Sequence, residues 1–119
     1  MPLGFLSAGR RAERRAARHL SRLGFRIIER NIRTNHGEID IVAIEDDCVV
    51  LVEVRFRREG AAAALKSLDA RKIRAMRAAA VEYRRRERLR STPLRIDLVA
   101  VSRRGRSWHL DHIRAAVDT

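Results

Sequence analysis

Two short runs rich in Val and Ile, Glu38–Ile44 and Val49–Phe56, lie on either side of Glu45-Asp46-Asp47-Cys48. Runs of this length and composition, split by acidic turn residues, predict an antiparallel hairpin. Its register follows from the length of the turn. Whether the loop takes two residues, Asp46-Asp47, or four, from Glu45 to Cys48, paired positions sum to 93. That sets Asp40 opposite Glu53 and Glu38 opposite Arg55. Side chains alternate between faces along a strand, so Glu38, Asp40, Glu53 and Arg55 share one face. Ile39, Ile41, Val50, Val52, Val54 and Phe56 share the other. One face is expected to be apolar throughout, and the other to gather four charges at one end.

The rest of the chain supplies partners for such a hairpin. A helix is predicted from Ser7 to Leu23, with Ser7 as N-cap and Gly24 in the left-handed position that closes helices. Ala12, Ala16, Leu20 and Leu23 form its apolar stripe, and arginines cover much of the remaining surface. Phe25 to Ile32 predicts a further strand. After the turn at Arg57-Arg58-Glu59-Gly60, one long helix is predicted from Ala62 to Arg88, striped by Leu65, Leu68, Lys72, Met76, Ala79 and Tyr83. Ser91-Thr92-Pro93 stops it. Strands follow at Leu94–Val101 and Ser107–Ile113, joined by the basic turn Arg103-Arg104-Gly105-Arg106. The order αβββαββ, without a Pro/Gly linker, predicts a single α/β domain over residues 1–119: a mixed β-sheet flanked by helices.

With 119 residues, 45% of them apolar, the chain can bury a core without disulfides or structural metal. Its one cysteine, Cys48, allows no internal disulfide. No apolar run approaches the roughly 20 residues of a membrane span, and Met1–Leu6 is too short for a secretion-signal core. A cytoplasmic protein with no membrane partner is expected. Charge narrows the class further. Twenty-seven basic residues, twenty-five of them arginine, oppose fifteen acidic ones for a net +12. Such an excess attracts polyanions and points to nucleic acid. Aromatics make up only 4%, too few for a base-stacking platform, so duplex or backbone-directed binding is expected. Arg33, Arg57 and Arg58, in the segments flanking the hairpin strands, are the candidate phosphate contacts.

The facing carboxylates carry the chemistry. At about 5 Å, two of them repel by about 3 kcal/mol at an effective dielectric of about 20. A divalent cation turns that repulsion into attraction, and all-oxygen ligation suits Mg²⁺ or Mn²⁺. The same pattern also fits a solvated face on which Arg55 bridges both acids. Glu13, beside Ala16 and Ala17 on the first helix, and Lys72, within the apolar stripe of the second, both point toward the sheet that carries Asp40 and Glu53. Asp97 shares a face with Arg95 and reads as its ion-pair partner. His109 and His112 face opposite sides of their strand and form no metal pair.

Gly37-Glu38-Ile39-Asp40-Ile41-Val42-Ala43, followed by Val52-Glu53-Val54-Arg55-Phe56-Arg57, resembles the signature of the YraN family, small bacterial proteins predicted to be endonuclease-like. Gly9, Glu13, Ala16, Leu20, Gly24-Phe25, Arg30-Asn31, Lys72 and Arg95-Ile96-Asp97 extend the match along most of the chain. That family in turn resembles the PD-(D/E)XK nuclease superfamily, which includes Holliday-junction resolvases. The resemblance implies a restriction-endonuclease-like core in which Asp40 and Glu53 bind Mg²⁺, with Glu13 as the added helical glutamate and Glu38 in support. Arg55 departs from the pattern, standing where the superfamily has a catalytic lysine. Arginine stays charged and cannot act as a base, so Lys72 is the candidate to replace that lysine while Arg55 stabilises charge on phosphate.

These readings lead to one expectation: a Mg²⁺- or Mn²⁺-dependent endonuclease for DNA, selective for branched or junction structures, and a homodimer by analogy with resolvases. Two others fit the same charge, a non-catalytic nucleic-acid-binding protein and an arginine-rich RNA- or ribosome-associated protein. Neither of those needs the acidic pair.

Overall fold

The computed structural model describes residues 8–119; the expected N-cap, Ser7, lies outside the described residues. Helix α1 (Ala8–Arg22) is followed by strands β1 (Arg26–Thr34), β2 (Gly37–Glu45) and β3 (Cys48–Phe56). Helices α2 (Ala61–Lys66) and α3 (Ala70–Arg86) come next, then β4 (Leu94–Arg104) and β5 (Ser107–Val117). As expected for the turn after α1, Gly24 has a φ of +98°, and the N–H groups of Gly24 and Phe25 donate to the Ser21 and Leu20 carbonyls at 3.0 Å. A side chain at this φ would be strained, hence glycine.

The strands form one sheet in the order β1-β2-β3-β4-β5. The β3–β4 pair is parallel and the others are antiparallel. A parallel neighbour requires a crossover, and α2 with α3 provides it. The expectation of a mixed sheet flanked by helices holds. The expectation of one long helix does not. It is broken at Ser67-Leu68-Asp69, where the Ser67 hydroxyl donates to the Ala64 carbonyl at 2.6 Å and Asp69 takes extended backbone as the N-cap of α3. The Asp69 carboxylate accepts from the Lys72 N–H at 2.8 Å. Short polar side chains compete with helix hydrogen bonds in this way. Ala64 is buried before the break and Leu68 within it, whereas Leu65, expected on the apolar stripe, is exposed.

The sheet is covered on both faces. Ala12, Ala16 and Leu20 of α1 pack on Ile41, Val50, Val52, Val99 and Val101. Ala64 of α2, Leu68 of the break, and Met76, Ala79 and Tyr83 of α3 pack on Val42, Leu51, Ile96 and Leu98. A strand buried on both sides reads as a near-continuous apolar run. The face expected to gather charges at one end is otherwise core: Val42, Val49 and Leu51 lie beneath α3.

The predicted register is present from Glu45↔Cys48 to Ile41↔Val52. There the ladder stops. The expected pairs Asp40–Glu53 and Glu38–Arg55 do not form, because the Asp40 carboxylate itself accepts the Val54 N–H at 2.8 Å and the strands part. On the other side of β2, pairing with β1 passes from Arg30↔Ile41 to Ile32↔Ile39 around Asn31, whose φ is +55°. Alternation slips by one place at Asp40: Ile39 joins the core under α3, whereas Ile41 joins the core under α1.

Candidate functional site

Where β2 and β3 part, a cleft opens at the end of the sheet, walled by the first turns of α1 and α3. Gly9, Ala12 and Glu13 line it from α1, Asp40 from β2, Glu53 to Phe56 from β3, Arg57 from the segment beyond, and Lys72 from α3. Each acid arrives on a different element, so their meeting is a product of tertiary structure. Lys72 reaches the cleft because the Asp69 cap starts α3 there, three residues earlier.

Glu53 is only 9% exposed, and its Oε2 is held by two cations. Arg55 Nε donates to it at 2.9 Å, and Lys72 Nζ lies 3.5 Å away. The expected partner of Arg55, Glu38, is not its partner here. Glu38 instead joins Glu13 and Asp40 in a trio whose carboxylate oxygens lie within 4.8 Å of one another. Asn31 spans two of the three: with its side-chain amide assigned so that the nitrogen faces the carboxylates, it donates to Glu13 Oε1 at 2.8 Å and to Glu38 Oε1 at 3.1 Å. Burial, together with the charge of Glu53, pushes the Asp40 carboxyl up to about 7 despite the Val54 N–H. Burial and the neighbouring Glu38 raise Glu13 as well, against the pull of Arg30 and Arg10. The cleft wall sets three acids, Glu13, Asp40 and Glu53, against three bases, Arg55, Arg57 and Lys72, with Glu38 beside them.

A family model described as "Uncharacterised protein family UPF0102" matches residues 12–101. The chain belongs to this UPF0102 (YraN) family. Similar relatives include a UPF0102 protein of Stutzerimonas stutzeri, 41% identical over 115 residues that cover 95% of this chain and 96% of the relative. Another, from Ectopseudomonas mendocina, is 42% identical over 92% of this chain and 93% of its own. A UPF0102 protein of the more distant Rhodococcus opacus is 36% identical, with 93% and 96% covered. The family expectation drawn from the Gly37–Ala43 and Val52–Arg57 segments is thereby met.

The remaining expected residues of this UPF0102 chain fall at different distances from the cleft. Arg57 lines it, with Nη1 donating to the Phe56 carbonyl at 2.7 Å. Arg58 is exposed in the turn that follows. Arg33 is exposed on β1, paired with Glu38, and is not among the residues of the cleft wall. No helix among the described residues is long and apolar enough to cross a membrane.

A second charged cluster sits away from the cleft, on the α1 face. Asp97 is fully buried. It accepts from Arg95 Nε at 2.9 Å, from the Ala115 N–H at 2.9 Å and from His112 Nε2 at 2.7 Å. Burial would raise its pKa, but these hydrogen bonds outweigh burial and hold it below the usual value. Arg95 also donates to Glu45, as does Arg114, and these two bonds bring Glu45 down to about 2. Sequence reasoning finds the Asp97–Arg95 pair from period two. It misses His112, and Asn31 as a bridge between acids; the one cue to Asn31 is that asparagine tolerates the left-handed region.

Proposed function

We propose that the chain is a divalent-cation-dependent endonuclease that hydrolyses the phosphodiester backbone of DNA in the cytoplasm, selective for branched or junction structures. The observation that carries this reading is the meeting of Glu13, Glu38, Asp40 and Glu53 at one end of the sheet in a chain of net charge +12. The donor set fits Mg²⁺ or Mn²⁺: all donors are hard carboxylate oxygens. Glu13, Glu38 and Asp40 each offer one such oxygen within 4.8 Å of the others, close enough for one small divalent cation to be shared among them. Glu13, Glu38 and Asp40 would hold the ion at that spread, and Glu53, expected as a ligand but held outside the trio by Arg55 and Lys72, would support them. When bound, the cation lowers the pKa of a water and offsets charge on the scissile phosphate.

The protein's own groups do the rest. Asp40 Oδ2 is fixed by the Val54 N–H, which leaves the other oxygen for a ligand. Arg55 and Lys72, resting on Glu53, face an incoming phosphate and exchange one anion for the other. Arg55 would act through its charge and its N–H donors. Lys72, brought into the cleft by α3, would set its amine beside the phosphate and the attacking water. Cutting both strands would require two such clefts, which a homodimer supplies.

The test incubates the protein with branched, duplex and single-stranded DNA plus Mg²⁺ or Mn²⁺, beside Asp40→Ala, with cation binding followed by calorimetry. Expected are cation-dependent cleavage of the branched substrate and loss of both cleavage and cation binding in the variant. A parent that binds neither cation sinks the nuclease reading. DNA binding that the variant retains, without cleavage by either protein, leaves a non-catalytic binding module.

A further inference from the structure

We infer that the face formed by α1 and the β4–β5 hairpin, organised around Trp108, is a duplex-backbone clamp that holds the nucleic acid flanking the cleft. The inference rests on the nucleic-acid reading above and assigns it a surface. Arg103 and Trp108 are register partners across the hairpin. The Arg103 guanidinium lies over the indole ring at 5.1 Å, and the Arg15 guanidinium, from α1, lies over the same ring at 4.4 Å. Arg103 Nε also donates to the Gly105 carbonyl at 2.7 Å, which fixes it at the hairpin tip between Arg104 and Arg106.

Three features separate this face from arginines that merely keep a chain soluble. First, it is continuous with the cleft: Phe56, in the cleft wall, meets Trp108 edge-on at 5.9 Å. The Arg57 N–H donates to the Val101 carbonyl of β4 at 2.9 Å. Second, it is of one sign. Arg11 and Arg18 stand one turn either side of Arg15 on the same strip of α1, and all three are exposed. Trp108 and Leu110 pack on the α1 side, so Asp111 faces away. Third, it is preorganised. A guanidinium stacked on an indole has already lost much of its rotamer freedom and still offers N–H groups at its edge to phosphate. The indole carries two guanidiniums and a phenyl edge, so it is not open for a base to stack on. That selects the phosphate backbone of a duplex over single strands.

The test follows binding of a short duplex DNA to the full chain by fluorescence anisotropy, in buffer with chelator and no divalent cation, across a salt series. Each phosphate contact contributes about 0.9 to the slope of log K against log salt. The triple variant Arg15→Gln, Arg103→Gln, Arg106→Gln is expected to lose about 2 to 3 from that slope. The matched triple Arg85→Gln, Arg88→Gln, Arg90→Gln removes the same charge from the far end of α3 and is expected to lose less than about 1. Trp108→Leu, which leaves the charge unchanged, is expected to weaken binding about three- to tenfold at constant slope. Thermal melts of each variant establish that the fold is intact. Equal slope losses in the two triples, or parent-like binding by Trp108→Leu, overturn the clamp. A parent whose binding ignores salt removes the nucleic-acid reading itself, a separate failure.

Discussion

The carboxylates of the cleft and the carboxylate of Asp97 are the same chemical group under opposite treatment. Asp97 is fully buried, yet donors from β4 and β5 saturate it and hold it ionised. Asp40 is less buried but faces three other acids with a single N–H donor on its side chain, and its carboxyl is pushed up to about 7. Burial alone does not distinguish a structural acid from a functional one. What distinguishes them is whether the fold has completed the hydrogen bonding of the charged form or left it for a ligand to complete.

The largest effect expected from this contrast is on stability. Asp97→Ala leaves Arg95 and His112 without a buried partner and should cost about 3–5 kcal/mol, read by urea denaturation. The pH dependence carries a definite sign. A folded pKa below the unfolded one contributes stability that is present above the unfolded value and is lost as pH falls through the folded one. Parent stability should therefore fall as pH drops below about 4, and Asp97→Asn should flatten that fall. An Asp97→Ala chain as stable as the parent would erase the distinction between the clusters.

The next effect concerns cleavage. Lys72→Met keeps the stem and removes the amine, and cleavage should drop about 10²-fold while the melting temperature holds. Arg55→Lys should leave cleavage intact or raise it. Should Lys72→Met cleave like the parent while Arg55→Met does not, Arg55 is the working cation.

The smallest effect runs against intuition. Asp40→Asn should stabilise the metal-free chain by about 1–2 kcal/mol at pH 8. A folded pKa raised to about 7 gives stability that is full below the unfolded value and lost as pH rises toward 8. The gain of the variant over the parent should therefore grow from pH 5 to pH 8. A gain that shrinks instead would mean that Asp40 is satisfied without a ligand.

Much of this was legible in the sequence, and the illegible part has a physical pattern. The register sum of 93 could be read because a short turn leaves the chain no other choice, and it holds from Glu45 to Ile41. It failed at Asp40, where a side chain took over a backbone partner and where Asn31 entered the left-handed region. No period-two pattern encodes either event. Lys72 could be placed near Glu53 because an apolar stripe fixes which way a helix faces. Glu38 could not be placed beside Glu13, since their meeting depends on the slip in β2. His112 reaches Asp97 next to an irregularity in the β4–β5 pairing and a left-handed Ala115, which sequence alternation does not announce.

The parallel pair at the centre of the sheet also sets an order of assembly. Strands β1, β2 and β3 are neighbours in sequence and can zip through short turns. By contrast, Val49 meets Leu94 and Phe56 meets Val101 only after the whole α2–α3 crossover has been gathered in. Closing so long a loop costs entropy before the parallel contacts return any, so this step should limit the folding rate. Until it is complete, β3 presents an unpaired apolar edge next to the strands that carry the acids. A newly made chain would therefore hold its acidic hairpin early and depend on the arrival of its second half to hide that edge from other chains.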